Sequence, residues 1–305
     1  MSPTQLSLTS GPQISVRTLL QNPLMIPARI LELLDGQFID DILLRFEGNA
    51  SVVAFEEGAP VFLDGEVADL VEFEEIPVLG TGFGLPRLAV ATKKGAGVRV
   101  SEDMKRENNI GAINKQIIAL TNSMIRARFI AMRQLLLNPA IPSFPAAAAW
   151  DTVNGKPRRD IALAQEMVGA AGTGQDDTFG YEADTIVFPG SITPVLLDNS
   201  DFLKVYGGNL ASENIAYTGK LPQDVMDMAA LKARFWPADR VLVTQRKTLG
   251  FYTDPRPLEV TPMYPEGGGP NGGPTESHRT DATMKRTVGI DQPKAAVWIT
   301  GVKTP

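Results

Sequence analysis

The 305-residue chain contains no cysteine and a single histidine, His278. Without cysteine, the chain can form neither a disulfide nor a thiolate metal site. One histidine has no second imidazole with which to bind a metal or relay a proton, and no Gly-x-Ser-x-Gly motif marks a serine nucleophile. His278 follows the Gly/Pro-rich residues 265–274, so we expect it in an exposed loop. We therefore predict no enzyme, no catalytic residue, no cofactor and no metal ligand.

The sequence also lacks a long apolar run. No stretch approaches the roughly 20 apolar residues that are needed to span a bilayer. Polar and proline residues interrupt the apolar stretch at residues 19–34, so we expect neither a signal peptide nor a membrane partner. The net charge of −6 argues against broad electrostatic binding of nucleic acid, which needs clustered lysine and arginine.

Three motifs resemble ligand sites without their defining features. Residues 80–84 lack the GK[ST] ending of a phosphate-binding loop, and residues 169–174 follow rather than precede the predicted helix 160–168. We interpret both as turns. A group of carboxylates could hold a divalent cation, but its spacing is not that of an EF-hand, and a solvated loop is the favoured interpretation. These carboxylates are Asp176, Asp177, Glu182 and Asp184.

Residues 101–137 have the pattern of one unbroken amphipathic helix. Apolar residues recur in alternating steps of three and four, which keeps them on one face. They are Ile110, Ile113, Ile117, Leu120, Met124, Ala127, Ala131 and Leu135. Ser101 can cap the first turn, Glu102 and Asp103 favour the positive end of the helix dipole, and Pro139 blocks continuation. At about 1.5 Å per residue this helix would span roughly 50 Å, which indicates a brace for an elongated structure.

The segments around this helix predict a mixed structure. Short apolar stretches separated by Gly, Pro and acidic residues precede it and are typical of β-hairpins. They are residues 43–44, 52–55, 61–63, 67–73, 88–91 and 98–100. After the helix, a Pro/Ala-rich connector at residues 138–150 leads into alternating short helices and strands. We expect an α+β protein with two main domains and extensions.

Charge is divided between the hairpin region and the helix. No Lys or Arg lies between Arg45 and Arg87, and acidic residues accumulate there. These acids are Glu47, Glu56, Glu57, Asp64, Glu66, Asp69, Glu72, Glu74 and Glu75. After Glu107 the helix carries only basic charges, and the next acid is Asp151. The two opposite charges could pair, or each could be a solvated face.

Several motifs follow one another in a distinctive order. EFEEIP (residues 72–77) ends the β-rich region, and VRVSEDM (98–104) leads into the predicted helix with its Asn108, Asn109 and Asn122. RVLV (240–243), GFYTD (250–254), RPLE (256–259) and PKAAVWITGV (293–302) follow in the C-terminal third. With these motifs in this order, nearly the whole chain resembles the major capsid proteins of tailed phages of the Hong Kong 97 type, particularly those of actinobacteriophages.

The resemblance implies an α+β Hong Kong 97-type fold with five parts. These are an N-terminal arm (1–39), an extended β-hairpin loop (40–100), a spine helix of the peripheral domain (101–138), a mainly axial domain (139–252), and the closing strands of the peripheral domain (253–305). It implies a major capsid protein that assembles into the hexamers and pentamers of an icosahedral shell. The shell would enclose double-stranded DNA without sequence-specific binding. The protein would be a virion component assembled in the host cytoplasm, with a portal protein as a further partner.

In that family the extended loop reaches over a neighbouring subunit, which favours pairing of the acidic loop with basic residues between subunits. The candidate inter-subunit contacts are Glu56, Glu57, Glu72, Glu74, Glu75, Arg126, Arg128 and Arg133. No single one of these residues carries the expectation, because it rests on the collective charge.

Two departures from the family pattern modify these expectations. Some relatives begin with a cleaved scaffolding segment of roughly a hundred residues. Here the loop begins near Asp40, so a separate scaffolding protein would supply that role or scaffolding would be absent. Relatives that cross-link covalently use a loop lysine, but the first lysine here is Lys93 at the loop base, so we expect no cross-link of that kind. An encapsulin-like bacterial shell with an enzyme cargo is the alternative, and an enzyme with a helical brace is a remote one.

Overall fold

A computed structural model describes residues 27–28, 30–31, 38–65, 67–172, 178–206, 224–269 and 272–304. These residues divide into two compact units. Unit 1 comprises the described parts of Met1–Phe38, Thr92–Arg128 and Asp254–Arg286. Unit 2 comprises those of Ile39–Ala91, Phe129–Thr253 and Thr287–Pro305.

Both helices and strands are present, as expected for an α+β protein. The helices are α1 Asp40–Leu43, α2 Glu102–Arg106, α3 Ile110–Leu136, α4 Pro157–Gly169, α5 Ile192–Asp198 and α6 Ser200–Tyr206. The first strands are β1 Arg45–Phe46, β2 Val52–Glu57, β3 Leu85–Val90, β4 Thr92–Ser101, β5 Ser143–Pro145, β6 Thr185–Pro189 and β7 Asp224–Val225. The others are β8 Met228–Ala233, β9 Arg240–Thr244, β10 Gly250–Val260, β11 Tyr264–Pro265, β12 Ser277–Ile290 and β13 Ala296–Thr300. No helix in these described ranges is both long and apolar enough to cross a membrane.

Unit 1 is built on a long antiparallel strand pair. Strands β4 and β12 pair over ten residues on each side, from Ser101 opposite Ser277 to Thr92 opposite Arg286. The short strand β11 also pairs with β12. Among the described residues, β4 has β12 as its only strand partner, so its other edge is unpaired.

The expectation of a single helix over residues 101–137 is wrong, because the helix is interrupted. The first part begins as predicted, with the Met104 amide donating to Ser101 Oγ at 3.2 Å. Asn108 then adopts a left-handed φ of 53°, and Asn109 Oδ1 accepts from the Ala112 amide at 3.0 Å and caps the second helix. Asparagine tolerates left-handed geometry and is a strong N-cap, so this pair ends one helix and begins the next.

The buried face of α3 agrees with the predicted stripe only in its first half. Ile113, Ile117, Leu120 and Met124 are buried as predicted. Further on, the predicted Ala127, Ala131 and Leu135 are half-buried. The buried side chains there are instead Ile125, Phe129, Met132 and Leu136. A stripe with a 3.5-residue period drifts by about 20° per heptad on a straight helix, so the buried set moves to adjacent positions.

Unit 2 contains a six-stranded sheet in the order β5-β13-β9-β6-β8-β7. Strand β9 is antiparallel to β13 and β6, whereas β6 and β8 are parallel. Buried apolar residues from the sheet and from α4, α5 and α6 form one core that includes Trp150, Phe188 and Phe202. Within it, the buried Asp160 accepts a hydrogen bond from Trp150 Nε1 at 2.8 Å, which satisfies both polar groups. The C-terminal strand β13 thus belongs to the same sheet as the middle of the chain.

The predicted hairpin region of unit 2 forms strands only at its base. β2 and β3 pair antiparallel from Val52 opposite Val90 to Glu57 opposite Leu85. Residues 61–63 and 67–73, which the sequence predicts as hairpin strands, are not strands. Glycine and proline interrupt this stretch, and an isolated strand without a cross-strand partner is not stable in water. The residues that connect β2 to β3, 58–84, are called the loop segment below.

Two adjacent isoleucines of α3 test the buried face. Ile117 is 3% exposed and Ile118 is 53% exposed. We expect Ile117→Asp to lower the free energy of unfolding by at least about 3 kcal/mol, because it places an unpaired charge in an apolar contact. Ile118→Asp, the matched control, should leave it nearly unchanged. Urea unfolding followed by circular dichroism measures both, and equal stability of the two variants would contradict the buried face.

Candidate interaction surface

The loop segment exposes many large apolar side chains. Phe73 and Val78 are each 98% exposed, and Val67 is 92% exposed. The others are Val61, Phe62, Leu63, Leu70, Val71, Ile76 and Phe83. Isolated exposed apolar residues are normal, but a contiguous run of them marks an interaction site.

The tip of the loop segment is a tight turn with a strained residue. The Glu74 amide donates to the Val71 carbonyl at 3.1 Å, and the Val71 amide donates to Glu74 Oε2 at 2.9 Å. Phe73 lies inside this turn with a φ of 73°, a left-handed conformation that aromatic residues rarely adopt. The two hydrogen bonds close the turn, and Phe73 within it is 98% exposed. Strain of this kind is found where a side chain is presented for a function.

The base of the loop segment is fixed by hydrogen bonds. Glu57, only 7% exposed, accepts from Arg87 Nε and from Asn138 Nδ2, each at 2.7 Å. Glu56 accepts from the Gly84 amide at 3.0 Å. Gly84 has to be glycine here, because a Cβ would lie 2.7 Å from the Ala59 nitrogen. Glu57 is therefore engaged inside its own chain, unlike the exposed carboxylate that the sequence suggests.

The basic residues of α3 differ in their availability. Arg126 is exposed and Arg133 is half-buried. Arg128 is only 7% exposed, and its guanidinium lies over the ring of Phe38 at 3.4 Å from the centroid. A guanidinium on an aromatic face is held by a cation–π interaction. Of the three arginines predicted as inter-subunit contacts, Arg128 is therefore the one that is buried within its own chain.

A cluster of charges on β4 and β12 was not predicted. Arg99 of β4 lies directly opposite Arg279 of β12, and like charges at such a position repel. Glu266 bridges them, since it accepts from Arg99 Nη2 at 2.7 Å and from Arg279 Nη1 at 3.5 Å. Arg279 Nε also donates to Asp281 Oδ1 at 2.6 Å. The hydrogen bond from Arg99 holds the pKa of Glu266 below its ordinary value of 4.5.

A cavity of about 430 Å³ adjoins this cluster. It is lined by Gly97, Val98, Arg99, Gln116 and Arg279, so it lies between β4, β12 and the start of α3. Gln116 Oε1 is buried and has no hydrogen-bond partner among the described residues. A buried carbonyl oxygen accepts a hydrogen bond from any donor that reaches it, water included.

His278 is not in an exposed loop as the sequence predicts. It lies in β12 opposite Val100 and is half-buried, with Nδ1 buried and unpartnered within the described part of the chain. Burial lowers the pKa of His278 below its ordinary 6.5, and the positive charge of Lys105 acts in the same direction.

The other candidate ligand motifs show local structural roles. Residues 80–84 belong to the loop segment, and α4 ends at Gly169 with Ala170 as its C-cap. Asp184 accepts from the Arg246 amide at 2.9 Å and Glu182 is exposed, whereas Asp176 and Asp177 lie outside the described residues.

Among the comparisons with known proteins, the one with solved structures finds similar proteins and identifies the fold. No protein-family model and no curated protein matches the sequence. The chain is similar in structure to a virus-like particle from Pyrococcus furiosus, with a TM-score of 0.60 and 8% identity, over 90% of this chain and 97% of that one. It is similar to the capsid of the Myoviridae phage XM1, with a TM-score of 0.55 and 12% identity, over 96% and 94%. It is also similar to a chain of Gordonia phage Cozz, with a TM-score of 0.56 and 13% identity, over 98% and 90%.

The fold is therefore that of phage capsid and virus-like-particle proteins, which confirms the predicted fold type. The agreement covers nearly the whole length of each chain. At these identities the structural likeness identifies the fold, and individual residue roles have to be argued from the chain itself.

The Glu266 bridge generates a pH-dependent prediction. A carboxylate with a lowered pKa stabilises the folded protein above its unfolded value of 4.5, and this contribution is lost as pH falls through the lower folded value. We expect Glu266→Gln to lower the melting temperature at pH 7, and the gap to wild type to close on acidification below pH 4.5. Glu259, 63% exposed and 3.9 Å from Arg256, supplies the control Glu259→Gln, which should differ little from wild type at either pH. A Glu266→Gln gap that does not change with pH would contradict the bridge.

Proposed function

We propose that this chain is the major capsid protein of a tailed phage, which self-assembles into the hexamers and pentamers of an icosahedral shell around double-stranded DNA. The fold supports this proposal, because the similar structures include a phage capsid and a virus-like particle. The observation that carries it is the loop segment, whose apolar side chains are exposed in the single chain. A surface of this kind is covered when copies associate.

The five parts that the resemblance implies keep their proposed roles. Residues 1–39 would be an arm and residues 40–100 an extended loop that tie subunits together. Residues 101–138 would form the spine, here broken at Asn108 and Asn109. Residues 139–252 would form the axial domain and residues 253–305 the closing strands. Strand β13, near the C-terminus, lies between β5 and β9 in the six-stranded sheet of unit 2. The chain therefore returns at its end to a sheet that its middle part forms.

Opposite charges would fix the register between neighbouring copies. The exposed carboxylates of the loop are Glu56, Glu72, Glu74 and Glu75, and the accessible arginines of α3 are Arg126 and Arg133. Glu57 and Arg128 have buried positions, so we assign them to holding the loop base and the helix rather than to the neighbour. Charge pairs of this kind add more to association rate and specificity than to affinity.

The partners follow from the same proposal. Packaged DNA would be enclosed without sequence-specific contacts, in keeping with the net charge of −6. A portal protein would complete the head, and scaffolding would come from a separate protein or be absent. The head would assemble in the host cytoplasm, and this chain would remain in the virion. We assign no catalytic role and no cofactor to this chain.

An encapsulin-like shell that encloses an enzyme cargo is the second candidate. The observation in its favour is the similarity to a virus-like particle from Pyrococcus furiosus, of which 97% is covered. The contents of the shell discriminate between the two candidates, since one would enclose DNA and the other a protein.

Electron microscopy of the purified protein tests the proposal directly. We expect closed shells, and in particles from infected cells nuclease-protected double-stranded DNA. Shells that contain a folded enzyme instead of DNA would favour the encapsulin-like candidate. A compact monomer at all concentrations, with or without scaffolding protein, would overturn both.

Reversal of the loop charges separates assembly from folding. We expect the triple variant Glu72→Lys, Glu74→Lys, Glu75→Lys to fold with ordinary circular dichroism but to give fewer particles, with the deficit narrowing at high salt. Single exposed ion pairs contribute only about 0–1 kcal/mol, so each single variant should assemble almost normally. The control Glu182→Lys, Asp224→Lys, Glu259→Lys changes the same total charge at exposed positions outside the loop and should assemble as wild type. Equal particle yields for the two triple variants at low salt would contradict a role for loop acidity.

A further inference from the structure

We propose that the cavity beside β4 binds inorganic hydrogen phosphate, which accepts hydrogen bonds from Arg99 and Arg279 and donates its P–O–H group to Gln116. All the residues that line this cavity belong to unit 1. The inference goes beyond the proposed function and does not rest on it, because the site is contained in one chain. The arginine donors, the buried acceptor and the backbone at Gly97 each support it.

The two arginines at the cavity keep hydrogen-bond donors that no described residue uses. A guanidinium carries five N–H donors. Nε and Nη2 of Arg99 lie 2.6 and 2.7 Å from the carboxylate oxygens of Glu266. Nε of Arg279 donates to Asp281 at 2.6 Å, and its Nη1 reaches Glu266 only at 3.5 Å. Nη1 of Arg99 and Nη2 of Arg279 therefore remain for an acceptor in the cavity.

The arrangement of the two guanidinium groups suits a tetrahedral oxyanion. Arg99 and Arg279 lie directly opposite each other on β4 and β12, so oxygens of one anion can accept from both. Arginine pairs with phosphate through charge-assisted and often bidentate hydrogen bonds. Glu266 and Asp281 offset the formal charge of the two arginines, so directional hydrogen bonds rather than a long-range field would supply the affinity.

Gln116 of α3 supplies the selectivity of the site. Its Oε1 is buried at the cavity and has no donor within the described part of the chain. An amide oxygen accepts hydrogen bonds and cannot donate one, so a ligand that fits it has to carry a donor. Inorganic phosphate keeps a P–O–H group at neutral pH, whereas sulfate and the phosphodiesters of nucleic acid have none. An oxyanion without a proton would face the carbonyl oxygen unpaired.

The cavity has room for the anion and for water around it. Its volume of about 430 Å³ lies within the usual range of ligand pockets, about 300–1,000 Å³. A Cβ at Gly97 would overlap the carboxylate of Asp281 and lie 3.2 Å from Nε of Arg279. The glycine therefore lets both side chains lie against the backbone of β4, where they define one wall of the site.

Isothermal titration calorimetry of the wild-type protein at pH 7 tests the inference. We expect phosphate to bind with a Kd of about 1 mM or lower, and sulfate and dimethyl phosphate to bind at least about tenfold more weakly at matched ionic strength. Methyl phosphate distinguishes a phosphate ester from the free ion. Phosphate monoesters have a second pKa of about 6, so most of this ester lacks the P–O–H group at pH 7, and it should also bind more weakly than phosphate.

Three variants assign the binding to the cavity. Arg279→Gln should weaken phosphate binding by about tenfold or more, because it removes a charged donor. Gln116→Leu should remove the preference for phosphate over sulfate, because it removes the acceptor. Arg256→Gln is the matched control, since Arg256 is a half-exposed arginine on β10 of the same unit and outside the cavity. It should bind phosphate as the wild type does.

The outcomes separate this inference from the proposed shell. Equal affinity of the wild type for phosphate and sulfate, or for phosphate and methyl phosphate, would overturn the role of the P–O–H group. Absence of phosphate binding would mean that the cavity holds water only, which overturns the site. Unchanged affinity in Arg279→Gln would overturn it too, and if that variant does not fold, the wild-type anion series still decides. None of these results bears on whether the chain forms shells.

Discussion

The proposed assembly depends on one constraint: the apolar loop segment is exposed to solvent and is not covered by the other described residues. A side chain such as Phe73 loses about 25 cal/mol of stabilisation for every Å² of apolar surface that stays in water. Acidic residues lie between these apolar positions, and repulsion between their charges opposes non-specific association of single chains. The same residues become complementary when a basic surface is opposite. A subunit of the proposed shell would need this combination, because it would have to remain separate until it meets a correctly oriented neighbour.

The rest of unit 2 gives the loop segment a fixed origin. Glu57 binds Arg87 and Asn138, and so joins the loop base to the residues that follow α3. Asn138 lies just beyond the end of the helix at Leu136, whose carbonyl oxygen accepts from Trp298 Nε1 at 2.7 Å. Trp298 lies in β13, next to β9 in the six-stranded sheet. These hydrogen bonds, part-buried at Glu57 and buried at Trp298, thus connect the loop base to the sheet core. A loop that is held at its base reaches a neighbour with less loss of entropy.

Local signals in the sequence predict local structure well, and pairings distant in sequence are not visible to them. The Ser101 cap, the buried Ile117 and the end of the long helix before Pro139 follow from rules that act within a few residues. The break at Asn108 and Asn109 also has a signal in the sequence, because two successive asparagines are residues of the type that caps helices. The continuous apolar stripe favours a single helix more strongly, so the sequence alone predicts no break. Arg99 meets Arg279 because two strands far apart in sequence pair in one register, and the sequence contains no marker of that register. The prediction of an exposed loop at His278 is wrong for the same reason, since the strand after residues 265–274 becomes evident only from its pairing with β4.

The proposed function requires the loop segment to be exposed in the free subunit and covered in the assembled shell. Amide hydrogen exchange of residues 58–84, compared between assembled particles and dissociated subunits of the same protein, tests this requirement. We expect fast exchange around Phe73 in the free subunit, because few amides there have backbone partners among the described residues. We expect strong protection of these amides in the particle, with little change in the six-stranded sheet of unit 2. Equal exchange of the loop segment in both states would contradict the requirement, because the apolar surface would then remain in water after assembly.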